Sequence, residues 1–91
     1  MAAQTCVNAQ HATLSTTTAD SVTFSGTGAN IAVTNRDAST TLYFRIDGTT
    51  AVSAADETFV VLPLQTKVIS AAGTKVISVV GNGNAYSAEL W

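Results

Sequence analysis

Hydrophobic and polar residues alternate along this chain in short runs separated by glycine, asparagine and aspartate. The cleanest run is Leu-Tyr-Phe-Arg-Ile-Asp at residues 42–47, where every second side chain is apolar. A period of two is typical of a β-strand with one buried face. Apolar residues nowhere keep an i, i+3, i+4, i+7 spacing over three turns, so no helix of consequence is expected.

The same pattern predicts strands from residue 12 onward, divided by turn residues such as Asp47-Gly48. Pro63 lacks a backbone donor and should end a strand or mark a sheet edge. The fold class predicted is all-β, a small antiparallel β-sandwich of seven or eight strands; a small barrel is the alternative, but most strands look one-sided. The predicted strands are 12–16, which is weak, 21–25, 29–35, 42–47, 57–62, 66–70, 74–80 and 85–91.

Five residues of the chain occur twice. Thr-Lys-Val-Ile-Ser at 66–70 recurs at 74–78, with Ala71-Ala72-Gly73 between the copies. Two identical strand-like runs joined by three residues predict a β-hairpin, in which Gly73 supplies the left-handed conformation that such a loop needs.

The length of 91 residues fits one domain. Residues 1–11 show no clear period and are rich in Ala, Gln and Asn, so they are predicted to form an extended N-terminal arm. Residues 12–91 are predicted to form a single β-sandwich domain. The final strand ends at Trp91, which we expect to be packed against the domain. The Thr, Ala and Ser loop that follows Gly48 is expected to be exposed.

Composition narrows the classes of partner. Charged residues make up 11% of the chain, against about 25% in an average soluble domain. The four cations are scattered over four segments, which argues against nucleic acid as a partner. The sequence has no apolar window long enough to span a membrane and no signal-like start, so we expect the protein to be made in a cytoplasm and to stay there or leave inside a larger particle. A surface rich in threonine (fifteen residues) and poor in charge suits packing against other proteins.

The sequence offers few residues that could catalyse a reaction or bind a metal ion. Cys6 and His11 both lie in the predicted arm without a third group to orient them, and one Cys plus one His cannot build a zinc site. Asp47, Asp56 and Glu57 flank one loop and offer the oxygen ligands that calcium takes, but turn and solvating roles explain these carboxylates better. We therefore expect no enzyme, no catalytic residue, no metal and no cofactor.

Several segments together carry a resemblance: the strand end Val33-Thr34-Asn35, the aromatic run at 42–48 that ends in Asp47-Gly48, the run Thr-Phe-Val-Val-Leu-Pro at 58–63, and the closing runs 75–80 and 85–90. In strand order and turn residues, roughly residues 29–91 resemble the small β-sandwich virion proteins of tailed bacteriophages.

The resemblance implies a capsid decoration (cement) protein that binds the major capsid protein on the outside of the virion and stabilises the shell. It also implies a homo-oligomer, taken as a trimer, with the arm reaching across capsid subunits. The alternative is a phage tail or fibre component with a protein- or carbohydrate-binding surface. Six residues are candidates for contact with a partner: Val7, His11, Leu14, Tyr43, Arg45 and Trp91.

Overall fold

The computed structural model of the chain describes residues 3–91, which form nine strands and no helix. The all-β prediction is confirmed. No helix in this described range is long and apolar enough to cross a membrane. The strands are β1 (Ala3–Cys6), β2 (Ala9–Thr13), β3 (Asp20–Phe24), β4 (Asn30–Asn35), β5 (Leu42–Arg45), β6 (Phe59–Val61), β7 (Thr66–Ser70), β8 (Val76–Val80) and β9 (Ala85–Leu90).

Two sheets make up the fold. The five-stranded sheet has the order β1-β3-β8-β5-β6, and the four-stranded sheet has the order β2-β9-β4-β7. The pairing of β1 with β3 is parallel, and the other pairings are antiparallel. The small β-sandwich is therefore confirmed, with nine strands in place of the seven or eight expected. Pro63 follows the edge strand β6, as predicted.

The core lies between the two sheets and is filled by alternate residues of the strands. Its largest fully buried side chains include Tyr86, Phe24, Phe44, Ile31 and Leu42. The rings of Phe44 and Phe59 stack with their centroids 5.0 Å apart. Every buried polar side-chain atom among the described residues has a hydrogen-bond partner. The hydrogen bonds that these atoms lose to water on folding are therefore replaced within the protein.

The predicted separate arm is corrected over residues 3–11. β1 is an edge strand of the five-stranded sheet, and β2 is an edge strand of the four-stranded sheet. The predicted domain boundary at residue 11 therefore falls inside β2. Alternate residues of these edge strands are only partly buried, which explains why no hydrophobic period was visible. Met1 and Ala2, the first residues of the predicted arm, lie outside the described residues.

The predicted hairpin is also wrong. The first copy of the repeat, β7, pairs with β4, whereas the second copy belongs to β8 and lies between β3 and β5 in the other sheet. Ala71 is fully buried between them, and its N–H donates to the carbonyl of Ala29 over 2.8 Å. Gly73 does take a positive φ of 80°, but in a link that crosses between the sheets. In each copy of the repeat the isoleucine is the most buried of the five residues, because its side chain faces the shared core.

Candidate interaction surfaces

The outer side of the four-stranded sheet, called the four-strand face below, is built from small side chains. Ala9, Glu89, Ala32 and Val68 lie in register across the four strands and form one row of this face. Ala32 is buried by its neighbours even though it points away from the core. Among the described strand residues that point outward here, Glu89 is the one that carries a charge. The surface is consequently flat and poor in charge.

A second row of the four-strand face is polar and internally paired. The Nδ1 atom of His11 lies 2.6 Å from the Oγ atom of Ser87. The hydroxyls of Thr34 and Thr66 lie 2.8 Å apart and share a hydrogen bond. These cross-strand pairs satisfy much of the row's hydrogen-bonding capacity within the sheet. A protein that covers the row would therefore bury few unsatisfied polar groups.

The outer side of the five-stranded sheet is partly covered by the loop that follows Gly48. Ala51 is 3% exposed and packs with Ala19 and Val80, while Tyr43 lies half-buried against this cluster. The Ala51 N–H donates to the Ser78 hydroxyl over 2.8 Å and fixes the loop to the sheet. The expectation of an exposed loop therefore fails at its centre, because Ala51 is small enough to pack on the sheet.

Arg45 is engaged by its own segment. Its Nε atom donates to Asp47 Oδ1 over 3.0 Å, and Nη2 forms an ion pair with the other carboxylate oxygen. The hydrogen bond from Arg45 and that from the Thr49 N–H hold the pKa of Asp47 below its ordinary value. A partner that used Arg45 would first have to displace Asp47.

A pocket of about 130 Å³ opens beside this loop. It lies between the outer surface of the five-stranded sheet and the start of the loop, and four of its residues carry hydroxyl groups. Its size suits a few water molecules or one small polar group. The lining residues are Ser21, Gly48, Thr49, Thr50, Val76, Ile77 and Ser78.

The six predicted contact residues do not form one surface. Leu14 is corrected: it is 3% exposed and belongs to the core, because its backbone pairs with Asn84 and turns the side chain inward. His11 lies on the four-strand face, whereas Tyr43 and Arg45 lie on the opposite sheet.

Val7 and Trp91 are both exposed and flank the hydrogen-bonded pair Asn8 and Leu90. The Trp91 backbone pairs with Asn30, as expected of a packed terminus, but its side chain is 54% exposed. The expectation of a packed Trp91 is therefore met by the backbone and fails for the indole.

An exposed apolar turn was missed from the sequence. Leu62, Pro63 and Leu64 connect β6 to β7, and the Gln65 N–H donates to the Leu62 carbonyl over 3.0 Å. Leu64 takes a φ of 60°, which is the sign that a type II turn requires at this position, although glycine is the usual residue there. The two leucines around a proline were the sequence signal, but Leu62 was assigned to the end of the strand 57–62 and Leu64 to no element.

The titratable groups remain dispersed. The Cys6 thiol is partly buried in β1, which raises its pKa, while His11 lies in β2 of the other sheet. Within residues 3–91 no three His, Cys, Asp or Glu side chains come close enough together to hold a metal ion. The surfaces, more than any cluster of reactive groups, are therefore the candidates for function.

Comparison of the chain with protein-family models, curated proteins and solved structures found no match.

Proposed function

We propose that the chain is a structural virion protein that binds the outside of a tailed-bacteriophage capsid as a decoration protein and stabilises the shell. The observation that carries the proposal is the four-strand face, with its rows of small side chains and the single charge of Glu89. A flat, charge-poor surface can be covered by another protein without stranding buried charges. The major capsid protein is the partner that the resemblance implies.

The size of the domain supports the same role. A 91-residue sandwich buries only about 60 to 65% of the surface that its unfolded chain exposes. Binding to a shell stabilises the folded form by mass action, and the shell gains contacts between its subunits in return. A charge-poor domain of this size therefore benefits from being part of an assembly.

Copy number is the experiment that tests the decoration role. Quantitative mass spectrometry of purified virions should find about one copy of this chain for each major capsid subunit. Addition of the recombinant chain to undecorated shells should raise their melting temperature. A virion that lacks the chain, or shells that neither bind it nor melt later, would contradict the proposal.

A matched pair of variants tests which face binds the shell. Val68 on the four-strand face is 54% exposed, and Val60 on the outer side of the other sheet is 45% exposed. The change Val68→Asp should weaken shell binding by about tenfold or more, because it buries an unpaired carboxylate at the contact. The control Val60→Asp should bind as the unchanged chain does. Equal binding by both variants would move the contact away from the four-strand face.

A second candidate is a tail or fibre component. It is favoured by the pocket beside the loop after Gly48, where hydroxyl-bearing residues could contact a sugar or a polar group of another protein. A ratio of only a few copies per virion, together with weaker ligand binding after Thr49→Ala, would support this candidate over decoration.

A further inference from the structure

Within residues 3–91 no strand pairs with the outer edge of β2, and the bond made to its outward backbone groups runs from the Gln10 side chain to the His11 carbonyl over 3.1 Å. The N–H of Leu90 donates to Asn8 and the N–H of Leu14 donates to Asn84, which fixes the alternation of hydrogen bonds between β2 and β9. Residues 8, 10, 12 and 14 therefore direct their backbone groups toward β9. Ala9, His11 and Thr13 direct their N–H and C=O groups to the open side of the sheet.

The edge formed by β7, on the other side of the four-stranded sheet, carries a charged residue that opposes pairing with a further strand. At the far side of the same sheet, Thr66, Val68 and Ser70 of β7 also direct backbone groups outward, by the same alternation. Lys67 stands between them with its side chain on the core-facing side, an arrangement that opposes addition of another strand. In the five-stranded sheet, β6 has three residues and is followed by Pro63. The edge of β2 has no such feature.

β1 and β2 themselves carry no Asp, Glu, Lys or Arg, although Glu89 of β9 lies in register with Ala9. No Asp, Glu, Lys or Arg precedes Asp20 in the sequence, and Asp20 is itself buried. All charged side chains at the surface therefore belong to later segments. An open strand edge without charge, proline or bulge is a template for pairing with another strand.

We propose that β2 of one copy pairs antiparallel with β2 of a second copy, around a two-fold axis at His11, so that the two four-stranded sheets become one sheet of eight strands. Ala9 of each copy then lies opposite Thr13 of the other, and His11 lies opposite its own equivalent. This register satisfies every outward N–H and C=O group of Ala9, His11 and Thr13. It rests on the fold alone and does not depend on the capsid role.

The charges and side-chain sizes fit a second copy as the occupant. Glu89 lies in register with Ala9, so the two-fold axis places the Glu89 carboxylates of the two copies on opposite sides of the axis and not across from each other. Ala9 and Thr13 are small and exposed, which lets the flat face continue across the joint. An isologous contact of this kind closes at two copies, in contrast to the trimer that the resemblance implies.

The association state of the full chain gives the first test. Sedimentation equilibrium should show a concentration-dependent species of twice the 9.3 kDa chain mass. His11→Pro removes an N–H that the single copy does not use, and it should weaken dimerisation by about tenfold or more. Val68→Pro makes the matched change on the edge of β7 and should leave the dimer intact. His11→Ala, which loses the bond to Ser87 but keeps the N–H, should also dimerise.

Charge variants test the register even if His11→Pro fails to fold. Ala9→Lys combined with Thr13→Lys places like charges opposite each other in the proposed register and should give a single copy at all concentrations. Ala9→Lys combined with Thr13→Glu places opposite charges together and should restore the dimer. The proposal would be overturned if the unchanged chain stayed a single copy or formed a trimer. It would also be overturned if Val68→Pro abolished the dimer, or if the two charge variants behaved alike.

Discussion

The hydroxyl of Tyr86 donates a 2.8 Å hydrogen bond to the Asp20 carboxylate in the middle of the core. Tyr86 belongs to β9 of the four-stranded sheet, and Asp20 begins β3 of the five-stranded sheet, so the bond joins the two layers. Both side chains are almost completely buried. Burial, with the neighbouring Asp20 carboxylate in second place, raises the pKa of the Tyr86 phenol far above its ordinary value.

This bond predicts a loss of stability at alkaline pH. Unfolded Tyr86 ionises near pH 10, while the folded phenol keeps its proton, so the folded state binds more protons and its stability falls as pH rises. Through Tyr86, the free energy of unfolding should fall by about 1.4 kcal/mol per pH unit above about pH 10. Below about pH 9, Tyr86 should make no contribution to its pH dependence. Urea unfolding at a series of pH values from below pH 9 to well above pH 10 measures the slope.

The variant Tyr86→Phe is the control for that slope, because it lacks the buried phenol and keeps every other titratable group. At neutral pH the variant should be less stable by about 1 to 3 kcal/mol, since the buried Asp20 carboxylate loses its donor. The stability difference between the two chains should then shrink above about pH 10. A difference that stays constant across this range would show that the phenol ionises in the folded state.

A pair of buried amides predicts a strong and selective effect of one substitution. Asn84 Nδ2 donates to Asn35 Oδ1 over 3.0 Å and to the Thr40 carbonyl over 2.8 Å. Asn84→Asp keeps the shape but turns the donor into an acceptor that faces two other acceptors. The free energy of unfolding should fall by about 3 kcal/mol or more, as measured with urea. Asn82→Asp, two residues away and exposed, should change it by less than about 0.5 kcal/mol.

The sequence predicted the strands from β3 onward, but it missed β1, placed the start of β2 three residues late and did not predict which strands pair. Alternation at Leu42, Phe44 and Ile46 was visible because it depends on side-chain direction, which is local. Pairing depends on residues far apart in the chain, such as Asn30 with Trp91, and local letters do not encode it. The repeat at 66–78 therefore suggested a hairpin, although Ala71 is small enough to be buried as the link between the two sheets.

The surfaces were predictable to a similar extent. Low charge and abundant threonine predicted a surface poor in charge, but they could not indicate that the four-strand face would be its clearest example. Leu14 looked like one apolar residue in a weak strand, and only the pairing with Asn84 turns it into the core. Arg45 was a candidate for contact with a partner, but Asp47, two residues further along the chain, accepts its hydrogen bonds.

The corner between β1 and β2 predicts that the segment around Asn8 is protected against hydrogen exchange. Asn8 Nδ2 donates to the Leu90 carbonyl over 3.0 Å and to the Thr27 carbonyl over 3.3 Å. A Cβ on Gly26 would lie 2.6 Å from the Asn8 side chain, so the corner is closely packed.

Asn8→Ala should therefore cost about 1 to 2 kcal/mol of stability and speed hydrogen exchange at Gly26 and Leu90, whose N–H groups bond to Val7 and Asn8. Gln10→Ala, whose side chain bonds only to the adjacent His11 carbonyl, serves as the comparison and should leave exchange at those amides unchanged. Fast exchange at Gly26 and Leu90 in the unchanged chain would contradict this prediction and favour the separate N-terminal arm predicted from the sequence.

The turn after β6 predicts a substitution that stabilises the fold. Leu64 holds a φ of 60° with its side chain 65% exposed, so the residue bears the cost of the left-handed conformation and gains little from burial. That cost is about 1 kcal/mol for a residue with a Cβ, and glycine does not incur it. Leu64→Gly should therefore raise the free energy of unfolding by up to about 1 kcal/mol, which calorimetry would show as a higher melting temperature.

Leu62→Gly is the matched control for this prediction. Leu62 is also exposed and lies in the same turn, but it is not among the residues with positive φ. Glycine should be destabilising there, because it adds freedom to the unfolded chain without relieving strain in the folded one. If both variants lowered the melting temperature equally, the conformation of Leu64 would carry no strain, and the turn would be held by contacts of the leucine side chain.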